Sequence, residues 1–342
     1  MPLALSQIAD VVSGTLRSLG RAKFQQIAQK LVYYEIFSQW FKKNKVIFDG
    51  GYGVQRTLMT KLASSAKHVG IDETDEVIIK DLLTQMTVDY RHVQAHWSFL
   101  YQELLANTGD ALVLNIIEPR RAGALIDMAA DIEAKAWASP DVGNTTEPYG
   151  IPYWLPRGTG TPSFQNTLPS GHTTVGGVNP AVHTNFRHWN GAYVAVTKQD
   201  LIKKLRTAQR RCGFRSPISI PDYRGVIGDR YRLYCNETTI SDLEDLGEGQ
   251  NENLGRDLDT YGGQMLFHRN PIIYVETLND DTNDPVYGID HSVFYVICLK
   301  GDYLRESEPI QINNNHNGFA VFYDTSYNFM NVDRRRCWNL SK

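Results

Sequence analysis

The sequence predicts a mixed α+β protein from three observations. Residues 108–140 combine good helix formers with apolar positions at three- and four-residue steps, which predicts one long amphipathic helix. Residues 45–100 contain glycine-rich and alternating segments, which predict two long strands joined as an extended hairpin. From residue 263 onward, aromatic and β-branched runs are divided by Asn- and Asp-rich turns, which predicts further strands.

The composition is that of an ordinary globular chain. The 342 residues are 42% hydrophobic and 21% charged, enough for one elaborate domain or two to three smaller ones. A formal net charge of −3 gives the whole chain no attraction to nucleic acid or anionic membranes. The four cysteines lack a Cys-x-x-Cys pair, which favours reduced thiols over disulfides or a zinc site. With no basic leader and no run of ~20 apolar residues, we expect a soluble intracellular product.

Residues 1–44 predict two helical segments separated near Gly20, the second with an aromatic and aliphatic side. Two interpretations stay open: a solvated helix face, or an arm that lies on a partner subunit or near nucleic acid. The basic bias comes from Arg17, Arg21, Lys23, Lys30, Lys42 and Lys43.

The predicted hairpin at 45–100 has too few apolar residues on either side to form a core of its own. An isolated two-stranded arm is marginal in water, so it needs another surface to lie on. The helix that follows can be capped by Thr108 or Asp110 and is ended by Pro140. Pro119 predicts either a kink or a fresh helix start with Pro119 in its first turn.

The second half of the chain alternates loops, helices and strands. Residues 140–192 are rich in Gly, Pro and Asn, which predicts loops that pack against neighbouring structure. Residues 197–213 predict a helix that Thr197 caps and Gly213 ends, followed by a strand at 229–238 and an acidic helix. The apolar stripe of the 197–213 helix is Leu201, Leu205, Ala208 and Cys212.

Two charged surfaces of opposite sign are the candidate functional sites, and we expect them to meet between subunits. The basic surface consists of Lys203, Lys204, Arg206, Arg210 and Arg211. The acidic surface consists of Asp242, Glu244, Asp245 and Glu248, with further acids up to Asp259.

Patterns for catalysis are weak. His92-x-x-x-His96 has the spacing of metal ligands on a helix, but its surroundings alternate like a strand and no Glu follows the first His. Residues 171–177 imitate a phosphate loop without the required Lys-Ser/Thr pair, and residues 280–284 lack the glycine and terminal glutamate of a calcium loop. We therefore expect no enzyme, no metal and no cofactor.

Several blocks, in order, resemble the major capsid proteins of tailed phages with the HK97-like fold. They span roughly residues 85–336 and include EPRRAGALIDMAADIEAKAWASP, YGIPYWL, SGHTTVGGVNP, IPDYRGVIGDRYRLYCNETTISDLEDLGEGQNENLGRDL, FHRNPIIYV, LKGDYLRESEP and VFYDTSYNFMNVDRRR.

The resemblance implies a domain plan. Residues 1–44 would form the N-arm and 45–100 the E-loop hairpin, lying over an adjacent subunit. Residues 101–192 would form the peripheral domain, with its spine helix at 108–139. Residues 193–300 would form the axial domain, and 301–342 would return to the peripheral domain.

The resemblance also implies a function, which is self-assembly through pentamers and hexamers into an icosahedral phage head around double-stranded DNA. Implied partners are other copies of the chain, a separate scaffolding protein, a portal protein and the packaged DNA, with a decoration protein as an optional addition and no membrane. The chain would reside in the virion, after assembly in the host cytoplasm. Two alternatives stay open: an encapsulin-like compartment around a cargo enzyme, and a metal-dependent hydrolase using His92 and His96.

Overall fold

The protein is described here from a computed structural model, which covers residues 33–62, 68, 81–106, 117–213, 231–248 and 265–342 except 269 and 314. The described strands are β1 (Lys45–Phe48), β2 (Gly53–Met59), β3 (Leu83–Asp89), β4 (Arg91–Leu100), β5 (Ser163–Gln165), β6 (His188–Ala192), β7 (Tyr231–Cys235), β8 (Leu266–Phe267), β9 (Asn270–Tyr274), β10 (Val286–Asp290), β11 (Phe294–Leu299), β12 (Arg305–Glu306), β13 (Ile310–Ile312), β14 (Asn315–Asn331) and β15 (Trp338–Ser341). The described α-helices are α1 (Phe41–Lys43), α2 (Tyr101–Ala106), α3 (Ile117–Ala136), α4 (Ile151–Trp154), α5 (Leu201–Cys212) and α6 (Glu237–Glu248).

The first sheet has six strands and is built around β14, which is 17 residues long. Antiparallel β4 follows one edge of β14, while β11, β12 and β13 share the other edge. Strand β1 extends this sheet by pairing in parallel with β11. Helix α3 packs across the sheet through Met128, Ile132 and Ala136, each at most 2% exposed. Arg120 and Arg121 fasten it by hydrogen bonds to the Ser98 carbonyl (3.1 Å) and the Tyr323 hydroxyl (2.8 Å).

The second sheet has seven strands in the order β5-β6-β15-β10-β7-β9-β8. Helix α5 covers it with the predicted stripe, since Leu201, Leu205, Ala208 and Cys212 are each at most 1% exposed. The stripe is therefore confirmed, and so is the end of the helix at Gly213. Its start is corrected: Asp200 is the N-cap residue, not Thr197, although the Thr197 hydroxyl accepts from the Asp200 N–H (3.2 Å).

The long helix is described over Ile117–Ala136 and ends before Pro140, as predicted. Its first residue, and with it the choice between a kink and a fresh start at Pro119, falls outside the described residues. Its 20 described residues span about 30 Å at 1.5 Å per residue. The proposed caps Thr108 and Asp110 lie outside the described residues.

The predicted hairpin at 45–100 is too long. Only β2 and β3 form it, pairing in antiparallel from Gly53–Asp89 to Met59–Leu83. The flanking strands β1 and β4 belong to the six-stranded sheet instead. Alternation predicted strands correctly, but it could not predict which partner each strand would find.

The predicted domain boundaries at residues 192 and 300 cut across both sheets. Strands β5 and β6, assigned to the peripheral domain, share the seven-stranded sheet with β7, β9 and β10. Strand β15, assigned to the peripheral return, lies in that same sheet, whereas β11 belongs to the six-stranded one. Strands from both sides of each predicted boundary thus share a sheet, and the division into peripheral and axial domains stays a prediction.

The end of the predicted N-arm is part of the core. A π-helical turn at Ile36–Trp40 continues into α1, and Ile36, Trp40 and Phe41 are each at most 1% exposed. The indole of Trp40 packs edge-on against Phe294 and Phe329 of the six-stranded sheet. Residues 1–32, most of the predicted hairpin tip at 64–75 and the acidic residues from 249 to 259 lie outside the described residues. Of the helices described, none is long and apolar enough to cross a membrane.

Candidate subunit interfaces

The basic surface lies on one side of α5. Its apolar stripe faces the seven-stranded sheet, so Lys203, Arg206, Arg210 and Arg211 are exposed to solvent. Lys204 differs from the others because its ammonium forms an ion pair with Asp200 in the preceding turn. The helix contains no carboxylate between its first and last residues, so its outer side presents uncompensated positive charge.

The acidic surface lies on α6. Asn236 begins this helix by accepting from the Thr239 N–H (3.0 Å), and Leu243 turns inward to the core of the seven-stranded sheet. Glu244 and Asp245 are consequently exposed, while Asp242 is half-buried. Glu248 is the last described residue of the helix. Within the described ranges no ion pair joins α6 to α5, so these two helices do not neutralise each other.

Asp242 and Asp245 line an open groove of about 420 Å³. Its other walls are Val194–Val196, Leu246 and the ammonium end of Lys342. The Asp200 carboxylate holds the groove's edge by accepting from the Val194 and Ala195 N–H groups (2.6 and 3.0 Å). Lys342 is tied to Asp284 (3.2 Å). Sequence reasoning missed this groove, because it joins three segments that are far apart in the chain.

The hairpin β2–β3 has one buried and one exposed side. Val54, Leu58, Met86 and Val88 are buried against loop residues of the same subunit, at most 9% exposed. The glycine-rich loop around Gly176 thus supplies part of the surface that the hairpin needs, while its contact with an adjacent subunit stays a prediction.

A sharp turn in that loop creates the close contact. Gly176 and Gly177 both have positive φ angles (57° and 81°), which glycine adopts without strain. The Gly176 carbonyl accepts from the Thr87 N–H of β3 (3.1 Å). The Gly176 N–H donates to the Tyr153 hydroxyl (3.1 Å). A side chain at Gly176 would collide with Trp154 and Met86. The apparent phosphate loop is thus a packing turn.

The exposed side of the hairpin becomes apolar toward its tip. Met59 and Leu83 are cross-strand partners and are 58% and 66% exposed, and Leu62 beyond them is 72% exposed. Nearer the base, the same side carries a hydrogen bond between the Gln55 and Gln85 side chains (2.7 Å). Neighbouring apolar side chains left in water are typical of a surface that another molecule covers.

The two histidines lie on strand β4 rather than on a helix. Residues four apart on a strand are separated by about 13 Å, too far to share one metal ion. His92 lies between Asp302 and Asp324 (3.4 and 3.3 Å), and His96 packs on Phe322. Among the described residues no group of three His, Cys, Asp or Glu side chains could hold a metal.

The sequence analysis did not anticipate a pair of buried carboxyl groups at the junction of the two sheets. Glu133 of α3 is 4% exposed and accepts from the Ile36 N–H (2.8 Å) and the Trp137 indole (2.9 Å). Glu35 is 2% exposed and accepts from Arg232 of β7 (2.7 Å). The Arg232 guanidinium thus pairs with Glu35, whereas neutral N–H groups serve Glu133. Burial raises the pKa of Glu133 to about 7, only partly opposed by its hydrogen bonds, and burial also raises that of Glu35.

We expect this pair to make the subunit less stable as pH rises. The pKa of Glu133 is higher in the folded chain than its ordinary 4.5, so its contribution is complete below pH 4.5 and is lost as pH rises through about 7. At 1.36 kcal/mol per pKa unit the loss is about 3 kcal/mol at most. Urea unfolding of Glu133→Gln should show a flatter pH profile than the wild type. Asp127→Asn, an exposed acid on the same helix, should keep the wild-type profile.

No family model matches the sequence, and no curated protein matches it. Solved structures do match. The capsid asymmetric unit of cyanophage A-1(L) aligns with a TM-score of 0.65 at 12% identity, covering 94% of this chain and 96% of that one. The capsid of a native GTA particle aligns with a TM-score of 0.59 at 12% identity, covering 94% and 95%. Gordonia phage Cozz aligns with a TM-score of 0.52 at 13% identity, covering 95% and 90%.

These alignments confirm the expected fold, the HK97-like α+β capsid fold, over nearly the whole chain.

Proposed function

We propose that this chain is a major capsid protein that assembles through pentamers and hexamers into an icosahedral phage head around double-stranded DNA. The observation that carries the proposal is the end-to-end match to a phage capsid subunit, which covers 94% of this chain and 96% of the other. A match over both full lengths leaves little of either chain for an additional catalytic domain.

The surfaces of the subunit support the same proposal. In the part of one subunit that the structure describes, three features are exposed: the apolar hairpin tip, the basic side of α5 and the acidic groove beside α6. Each is small, so each contact is weak alone. A closed shell makes many such contacts at once, and the linked contacts become collectively strong.

The proposed partners follow from this role. Other copies of the chain are the main partner, and a separate scaffolding protein, a portal protein and packaged DNA complete the assembly, with a decoration protein as an optional addition. The protein would assemble in the host cytoplasm and reside in the virion. A shell that encloses a cargo protein would use the same fold, so the enclosed material distinguishes the two.

Sedimentation velocity of the purified chain, with absorbance read at 260 and 280 nm, tests the proposal. We expect capsomers that convert to much larger closed particles, and particles from infected cells that absorb as nucleoprotein. Particles with a protein-only absorbance ratio would favour the cargo compartment, and a stable monomer would contradict both.

We expect the hairpin tip to act in assembly and not in folding. In the double variant Met59→Gln and Leu83→Gln, the thermal unfolding midpoint of the subunit should stay unchanged, because exposed substitutions cost only about 0.5 kcal/mol. Assembly at fixed concentration should fall by about tenfold if the tip contacts a neighbour. The matched pair Gln55→Ala and Gln85→Ala, at the base of the same side, should have a smaller effect. Normal assembly of the tip variant would remove the hairpin from the interface.

A further inference from the structure

The groove beside α6 combines an apolar and an acidic surface, and together they suit one kind of binding partner. Val194 is 79% exposed, and with Val196 and Leu246 it forms an apolar wall. Asp242 and Asp245 stand beside that wall. A long cationic side chain matches both parts, because its methylene stem can cover apolar surface while its charged end reaches the carboxylates.

The groove keeps its negative charge within one subunit. The nearest cation, Lys342, is already engaged by Asp284 (3.2 Å). In the part of the chain that the structure describes, no Lys or Arg forms an ion pair with Asp242 or Asp245. A guest cation would therefore add a partner that these carboxylates lack.

The same chain carries suitable cations on α5, but at a distance from its own groove. The groove's edge is fastened to Asp200 at the start of that helix. At 1.5 Å per residue, Arg206 and Arg210 lie about 9 and 15 Å further along the helix axis. Among the described residues no ion pair joins the basic and acidic surfaces within one subunit, so a second copy beside the first can supply the missing partner.

We propose that the groove receives Arg206 or Arg210 from α5 of an adjacent copy, so that successive subunits join head to tail around a ring. This rests on the proposed capsid function. Because the two contacting surfaces are different, the contact is heterologous, and repeating it produces a closed ring when the rotation closes. Asp245, which lines the groove, takes part, whereas Glu244 on the adjoining side of α6 does not.

Charge reversals of both surfaces test this geometry. Asp245→Lys and Arg210→Glu should each lower ring formation by about tenfold or more, because like charges then face each other across the contact. The double variant restores complementary charges and should assemble nearly as the wild type does. Glu244→Lys and Lys198→Glu make the same charge changes outside the contact and should assemble normally. Thermal unfolding of each variant confirms that it is folded.

A mixture of the two single variants provides a sharper test. The groove of each variant is complementary only to the helix of the other, so the two must alternate around a ring. Alternation closes in rings of even number but not in rings of odd number. We therefore expect the equimolar mixture to recover hexamers and no pentamers in negative-stain images.

The outcomes separate the inference from the function on which it rests. A wild-type chain that never forms oligomers contradicts the proposed function. A wild type that assembles, with both single variants assembling equally well, overturns only the groove contact. Equal loss in Glu244→Lys and Asp245→Lys would also overturn the assignment to the groove.

Discussion

Gly150→Ala should destabilise the subunit by about 3–5 kcal/mol, although it adds only one methyl group. A Cβ at this position would lie 2.0 Å from the Ala138 carbonyl oxygen and 2.7 Å from those of Ala136 and Lys135. All three atoms are backbone at the end of α3, so no side chain can turn away to make room. The backbone of Gly150 itself (φ −64°, ψ 178°) suits any residue, so the cost comes from space alone.

Urea unfolding at fixed pH measures this change, and loss of soluble protein would be its extreme form. Gly123→Ala is the matched control. It lies inside α3, the helix whose end Gly150 contacts, and a Cβ added there would meet no atom within 4 Å. Because alanine favours a helix over glycine, the control should gain about 0.5–1 kcal/mol. A Gly150→Ala chain as stable as the wild type would show that the end of α3 is not packed as described.

Arg334→Met should destabilise the subunit by a similar amount, about 3–5 kcal/mol. The guanidinium is fully buried and donates to the carbonyls of Trp154 (2.8 Å) and Phe186 (3.3 Å). Its third contact is Nδ1 of His188 (3.0 Å). Since Nε2 of His188 faces the Pro156 carbonyl (2.8 Å), Nε2 carries the proton and Nδ1 accepts from Arg334.

The substitution would leave two carbonyls and an imidazole nitrogen buried without a donor. Burial, and in the wild type also the Arg334 charge, holds the pKa of His188 well below its usual value. Burial persists in the variant, so the imidazole stays neutral and does not replace the lost cation. Burial also lowers the pKa of Arg334 to about 9, so it remains charged at neutral pH.

Arg335→Met is the control for charge in the same segment. That side chain is 45% exposed and pairs with Asp333 at the surface (2.8 Å), which contributes about 1 kcal/mol or less. Chemical unfolding of both variants should separate them by at least about 2 kcal/mol. Equal stabilities would mean that Arg334 does not hold the loop to the chain end.

Local elements were predictable from the sequence where the apolar pattern was regular. The four-residue stripe of α5 located that helix and its buried side correctly, and strand patterns marked β7, β10 and β14. The start of α5 was misjudged because Thr197 has the chemistry of a cap, whereas the chain turns into the helix only after Asp200. A residue with the chemistry of an N-cap favours a helix start nearby, but tertiary contacts decide at which residue the helix begins.

Partner choice was not predictable, because it depends on contacts between distant segments. Strands β1 and β4 flank the hairpin in sequence but join β11 and β14 from the other end of the chain. The hairpin β2–β3 packs against Gly176, which is distant in sequence and comes close to the hairpin only when the chain folds. The groove has the same origin, since Val194, Asp245 and Lys342 share no local pattern. The residues of the two charged surfaces could be named from the sequence, but the positions of the two surfaces relative to each other on one subunit could not.

Cryo-electron microscopy of the purified chain, alone and with a co-expressed scaffolding protein, tests the central claim most directly. The account predicts closed icosahedral shells with fivefold and sixfold capsomers, in which α5 of one subunit faces the groove beside α6 of the next. A monodisperse monomer or dimer that persists with the scaffolding protein present would contradict it.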